Sequence, residues 1–111
     1  MWSWVYSIDY NSCVFTIKQT QEFIDWLAGI TDVMTRARLL ARLRKLSLGL
    51  WGDARPVGEG VSELREHFGP GWRMYCVQRG PVIVVMLGGG SKRTQAADIA
   101  AAKALAAQLE D

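Results

Sequence analysis

The chain is poor in cysteine, nearly balanced in charge and without a long apolar run, and each shortage removes a class of protein. Two cysteines in 111 residues, Cys13 and Cys76, do not make a disulfide-stapled secreted scaffold. Neither sits in the Cys-x-x-Cys or Cys/His spacing that zinc needs, so no metal and no cofactor are expected. Both lie in strand-like apolar settings, which predicts two buried free thiols. No apolar run is long enough to span a bilayer. The opening Met1-Trp2-Ser3-Trp4-Val5-Tyr6 lacks a basic segment and Asp9 interrupts it, which argues against a signal peptide and for a cytoplasmic protein without a membrane partner. A net charge of +2 is too small to predict nucleic-acid binding by itself, so any such reading rests on where the charges lie. There are no internal repeats and no low-complexity linkers.

What is present is a core. With 50% of its residues hydrophobic the chain is not intrinsically disordered, and its 111 residues suit one domain rather than two. That domain is expected over residues 13–111. Residues 1–12 form an N-terminal extension with three open readings: a disordered tail, an unused upstream start, or a strand added to a sheet edge, since Trp2, Trp4 and Tyr6 alternate.

Val14-Phe15-Thr16-Ile17-Lys18 reads as a first strand. Thr20 is placed to cap a short helix carrying Phe23, Ile24, Trp26 and Leu27, which Gly29 closes. After Thr31, a second candidate cap, two stripes run at helix-face spacing to about Leu48: Leu39, Leu43, Leu46 and Leu50, and beside them Arg38, Arg42 and Lys45. A helical hairpin of this kind can cover a sheet face. A loop from Trp51 leads to a short strand at residues 54–57, and Gly58 and Gly60 bracket a turn.

In the next strand Glu63, Arg65 and His67 share one face. Gly69-Pro70-Gly71 turns the chain, and the strand from Trp72 brings Arg73 and Tyr75 to a common face, with Trp72, Met74 and Cys76 on the other. Val82-Ile83-Val84-Val85-Met86-Leu87 is a β-branched run typical of a strand buried on both faces. A final helix from about Gln95 to Leu109 presents Ile99, Ala102, Ala106 and Leu109 as its apolar side. The reading is α+β, two N-terminal helices packed on a mainly antiparallel sheet, in the order β-α-α-β-β-β-α.

Phe23-Ile24-Asp25-Trp26-Leu27, Arg36-Ala37-Arg38, Gly52-Asp53, the run from Val57 to Arg65, Gly69-Pro70-Gly71-Trp72-Arg73 and the run from Gly88 to Gln95 together resemble the phage-derived, HigB-like killer proteins of the RelE/ParE toxin superfamily. The resemblance extends from Phe15 to Asp111. It implies a RelE/ParE-like fold and a toxin of a type II toxin-antitoxin system that cleaves messenger RNA at the ribosome without metal. A separate antitoxin, often a helix-turn-helix DNA-binding protein, would hold it inactive, and the assembly would be a homodimer or a toxin-antitoxin heterotetramer. A ParE-like inhibitor of DNA gyrase and a homologue without toxicity are the alternatives.

Metal-free RNA cleavage needs a base for the 2′-hydroxyl, cations for the phosphate and an acid for the leaving oxygen. Arg65, Arg73 and Lys92 can supply the charge, Glu63 is the candidate base, and Tyr75 or His67 the acid. An ordinary cross-strand ladder of ion pairs would use the same residues. The run from Gly88 to Thr94 looks like a P-loop, but Ser91 rather than glycine precedes Lys92, so nucleotide hydrolysis is rejected. What survives there is an anion site of flexible backbone, two cations and a helix N-terminus, or a plain connecting loop. Arg38, Arg42 and Lys45, with Arg55 and Arg93, are candidate RNA-binding residues. The helix stripe among them reads equally as a solvated face or as a dock for an acidic antitoxin segment.

Overall fold

A computed structural model describes residues 14–109. In chain order it contains β1 (Thr16–Gln19), α1 (Gln21–Ala28), α2 (Val33–Ser47), β2 (Ala54–Gly58), β3 (Val61–Arg65), β4 (Trp72–Arg79), β5 (Ile83–Ser91), a single 3-10 turn (Lys92–Thr94) and α3 (Gln95–Gln108). Five strands form one sheet in the order β1-β5-β4-β3-β2; β1 runs parallel to β5 and every other pair is antiparallel. The fold is α+β as expected, but the order is β-α-α-β-β-β-β-α, one strand more than the expected string. The string leaves out the short strand already marked at residues 54–57, which pairs with β3 (Ala54↔Leu64, Arg55↔Glu63, Pro56↔Ser62) up to a register shift between Pro56 and Gly58. Pro56, which has no N–H for a ladder, is accommodated because β2 lies at the sheet edge.

Helix starts follow local chemistry. The Thr20 hydroxyl accepts from Phe23 N–H at 3.2 Å and donates to the Met86 carbonyl at 2.8 Å, so one side chain both caps α1 and pins it to β5. The cap of α2 is Asp32 rather than Thr31: its carboxylate accepts from Thr35 N–H at 3.0 Å, and a carboxylate answers the positive helix end better than a hydroxyl. Leu50 lies past the end of α2 and is exposed, so the buried leucine stripe is Leu39, Leu43 and Leu46.

The helices sandwich the sheet. Phe23, Leu27, Leu39, Leu43 and Leu46 of α1 and α2 pack with Leu64, Met74, Cys76, Val84 and Met86 on one face. On the other, Ala102 and Ala106 of α3 pack with Val61, Tyr75, Val77 and Leu87. Cys76 is a buried free thiol whose pKa burial pushes up to about 12; Cys13 and residues 1–12 lie outside the described residues.

Gly88, Gly89 and Gly90 do not form a flexible loop. They belong to β5 and pair with Tyr75, Met74 and Arg73 of β4. Their smallness serves close approach: a Cβ on Gly89 would come within 2.5 Å of the Trp26 ring, and one on Gly90 would collide with the Asp98 carboxylate. A Cβ on Gly88 would meet nothing within 4 Å. Gly89→Ala should therefore destabilise the protein by about 1–3 kcal/mol, the usual cost of overpacking, while Gly88→Ala changes little. Urea unfolding of the two variants measures the contrast.

Candidate active site

Strand register assembles the site. Glu63 lies opposite Tyr75 and Arg65 opposite Arg73, while Arg73 faces Gly90 on its other side. The Lys92 N–H donates to the Gly71 carbonyl at 2.8 Å, so the first residue after β5 is tied to the β3–β4 turn. That turn is closed by Glu66 N–H to Trp72 carbonyl at 2.9 Å and Gly71 N–H to Phe68 carbonyl at 3.1 Å. Arg65, Arg73 and Lys92 thus meet at one end of the sheet, as the alternation of side chains predicts.

Their surroundings differ in kind. Arg65 donates from Nε at 3.1 Å and Nη2 at 2.8 Å to one oxygen of Asp53, and His67 Nε2 contacts the other. The Arg65 guanidinium, followed by His67, holds the Asp53 carboxyl down at about 2, and Asp53 in turn raises Arg65. Arg73, only 5% exposed, donates to two main-chain carbonyls, Glu66 at 3.4 Å and Trp72 at 3.2 Å, and its Nε has no acceptor. Among the described residues no carboxylate pairs with it. A buried cation without a counter-charge is costly, so this end of the sheet lacks one negative charge.

Glu63 is not placed as a base. It is 0% exposed beneath α3, where its carboxylate accepts from Tyr75 Oη at 3.2 Å, Gln95 Nε2 at 2.7 Å and Arg55 Nε at 3.2 Å. With three donors and no open surface it cannot reach a 2′-hydroxyl; it fastens the first residue of α3 to the sheet. Tyr75 is equally sealed, and burial, then the Glu63 charge, push its hydroxyl above the usual tyrosine range, which disqualifies it as an acid here. Periodicity placed both on the right face but could not show that α3 covers it.

Arg42 also departs from expectation. It is 7% exposed, and its guanidinium donates to the carbonyls of Arg65 at 2.8 Å, Trp51 at 2.8 Å and Asp53 at 2.9 Å and contacts the Glu66 carboxylate. It is spent on internal acceptors and offers nothing to an external phosphate. Gly52, at φ +65°, gives it passage, since a Cβ there would lie 3.1 Å from Arg42 Nη2. The rest of the stripe is outside: Arg38 sits 3.6 Å over the Phe68 ring and Lys45 is exposed, as are Arg55, Lys92 and Arg93 on other elements. Arg38, Ala41, Arg42, Lys45 and Glu66 line a hollow of about 190 Å³ beside the β3–β4 turn.

Asp53, Glu66 and Gln95 were missed as site residues. For Asp53 a signal existed, because Gly52-Asp53 is one of the motifs carrying the resemblance; the other two depend on contacts across the fold. Among the described residues no three His, Cys, Asp or Glu side chains cluster as metal ligands, and no helix is long and apolar enough to cross a membrane.

No model of a known protein family matches the sequence. A Haemophilus influenzae protein, described only as uncharacterized, is 40% identical over 93 residues, which span 84% of this chain and 94% of that one. The structure is similar to the free state of E. coli toxin RelE carrying two arginine-to-alanine mutations, with a TM-score of 0.65 over 87% of this chain and 99% of that one. At 12% identity this likeness establishes the fold.

Two outcomes follow from the ion pairs. Arg42→Ala should cost about 3 kcal/mol in urea unfolding, because it strands the part-buried carbonyls of Trp51 and Arg65 and the Glu66 carboxylate, whereas Lys45→Ala should stay within about 0.5 kcal/mol. Asp53 titrates near 2 when folded, below the ordinary 3.8, so its stabilisation is complete above about pH 3.8 and is lost as the pH falls through about 2. Asp53→Asn should flatten the acid-unfolding curve across that window.

Proposed function

We propose that this chain, which belongs to one family with the Haemophilus influenzae protein and has the RelE fold, is the toxin of a type II toxin-antitoxin pair and cleaves messenger RNA in association with the ribosome. The observation that carries the reading is Arg73: a buried guanidinium with no carboxylate partner among the described residues, beside Arg65 and Lys92 at the open end of a sheet. A phosphodiester supplies the missing charge, and the planar guanidinium can hold two of its oxygens. The same contact strengthens as negative charge builds on phosphorus, which is where cationic stabilisation lowers the barrier. Around this centre Arg38, Lys45, Arg55 and Arg93 are exposed cations suited to the neighbouring phosphates, and Arg42 supports them from within.

The reading assigns the chain a cytoplasmic site of action and a separate antitoxin, a helix-turn-helix DNA-binding protein, as its cognate partner. It needs neither metal nor cofactor, because cations already occupy the place where a metal would stabilise charge. A hydroxyl of the RNA itself is the nucleophile, which spares the protein one.

Arg73→Met separates chemistry from folding. Removing an uncompensated buried charge should leave thermal stability equal or higher, while transcript cleavage falls about a hundredfold to a thousandfold. Sequencing of transcript ends within minutes of induction reads the second quantity. Growth arrest with DNA breaks and intact transcripts would overturn the reading in favour of a gyrase inhibitor.

A further inference from the structure

We propose that Asp53 is a positioning residue that makes His67 the proton-transfer group of this site; the inference rests on the RNA-cleavage reading above. The reaction needs a group that takes the proton of the 2′-hydroxyl. Glu63 and Tyr75 are closed off beneath α3 and bonded to each other, so neither is available. The His67 side chain is 66% exposed, on the turn whose Glu66 carbonyl accepts from Arg73. Its ring contacts the Asp53 carboxylate that Arg65 holds, so it stands next to one cation of the site and is open to solvent.

Asp53 is held on every side. Arg65 occupies its Oδ1 through two donors, and its own carbonyl accepts from the Arg65 N–H at 2.9 Å and from Arg42 Nη2 at 2.9 Å. The remaining oxygen, Oδ2, contacts His67 Nε2. An ionised carboxylate only accepts, so Nε2 is the donor, and in the neutral ring Nε2 carries the single proton while Nδ1 is left with a lone pair. Nδ1 has no partner among the described residues. Asp53 thus selects the tautomer in which the unpartnered nitrogen, Nδ1, is basic, and Arg65 keeps Asp53 from turning away.

In the step, the 2′-hydroxyl proton passes to Nδ1 as the 2′-oxygen bonds to phosphorus. The bond from phosphorus to the 5′-oxygen breaks, and that oxygen takes a proton from water. The imidazolium then neutralises the hydroxide so formed. The products are a 2′,3′-cyclic phosphate and a 5′-hydroxyl, and the neutral ring is restored.

His67 is the single histidine of the chain, so its ring nitrogens can be followed without ambiguity. Nitrogen-15 NMR of the neutral ring should show the Nε2–H tautomer in the parent and a mixed population in Asp53→Asn. With translating ribosomes and a defined messenger RNA, His67→Gln should lose about a hundredfold or more in kcat with KM within about twofold, and Asp53→Asn about tenfold or more. Thermal unfolding confirms that both variants fold. A mixed tautomer in the parent, or His67→Gln cleaving at the parent rate, overturns this inference and leaves the RNA-cleavage reading standing. A parent protein that cleaves no RNA under these conditions overturns both.

Discussion

The guanidinium of Arg42 gathers three parts of the chain that have no other reason to meet. From the buried side of α2 it reaches the carbonyls of Trp51 and Asp53 in the loop before β2, the Arg65 carbonyl at the end of β3, and Glu66 in the turn that follows. The Asp53 carbonyl also accepts from the Arg65 N–H, but for the Trp51 and Arg65 carbonyls and the Glu66 carboxylate the guanidinium supplies the donor, so the side chain removes several penalties at once. Because the Asp53 backbone is held there, its carboxylate meets Arg65 and His67, and the face that carries the cations keeps its shape. The shape of the surface depends here on a charge that is almost wholly buried.

The sheet is a partition between two kinds of packing. On one side α1 and α2 bring large leucine, phenylalanine and tryptophan side chains, and the strand beneath must give way at Gly89 for Trp26. On the other, α3 lies close because its contact residues are alanines, and Gly90 admits Asp98. The glycine triplet that looks like a phosphate loop is the seam where both layers press on one strand. Gly89 and Gly90 answer a steric demand, one from each direction.

Charge at the site is divided unequally. Glu63, Asp53 and Glu66 each satisfy a neighbouring cation: Arg55, Arg65 and Arg42 respectively. Arg73 stands among them with carbonyl oxygens alone. Since desolvating a cation without a counter-ion costs free energy, the fold retains Arg73 at the expense of stability, a pattern typical of groups kept for a ligand.

Local pattern determined the elements and their faces. Alternation put Arg65 with Glu63 and Arg73 with Tyr75, leucine spacing drew α2, and alanine spacing drew the buried side of α3, because these periods are properties of the backbone itself. Local pattern could not tell which side chains a third layer would cover. Glu63, Tyr75 and Arg42 carry the same polar groups whether exposed or buried, and only the docking of α3 and α2 decides that the first two are sealed and the third is internal. Nor could it pair Asp53 with His67, fourteen positions apart, one before β2 and the other after β3, since that contact exists only once β2 and β3 are zipped and Arg42 has drawn the loop inward. The cations were legible in the chain; which of them remains uncompensated is settled by the three-dimensional arrangement of carboxylates.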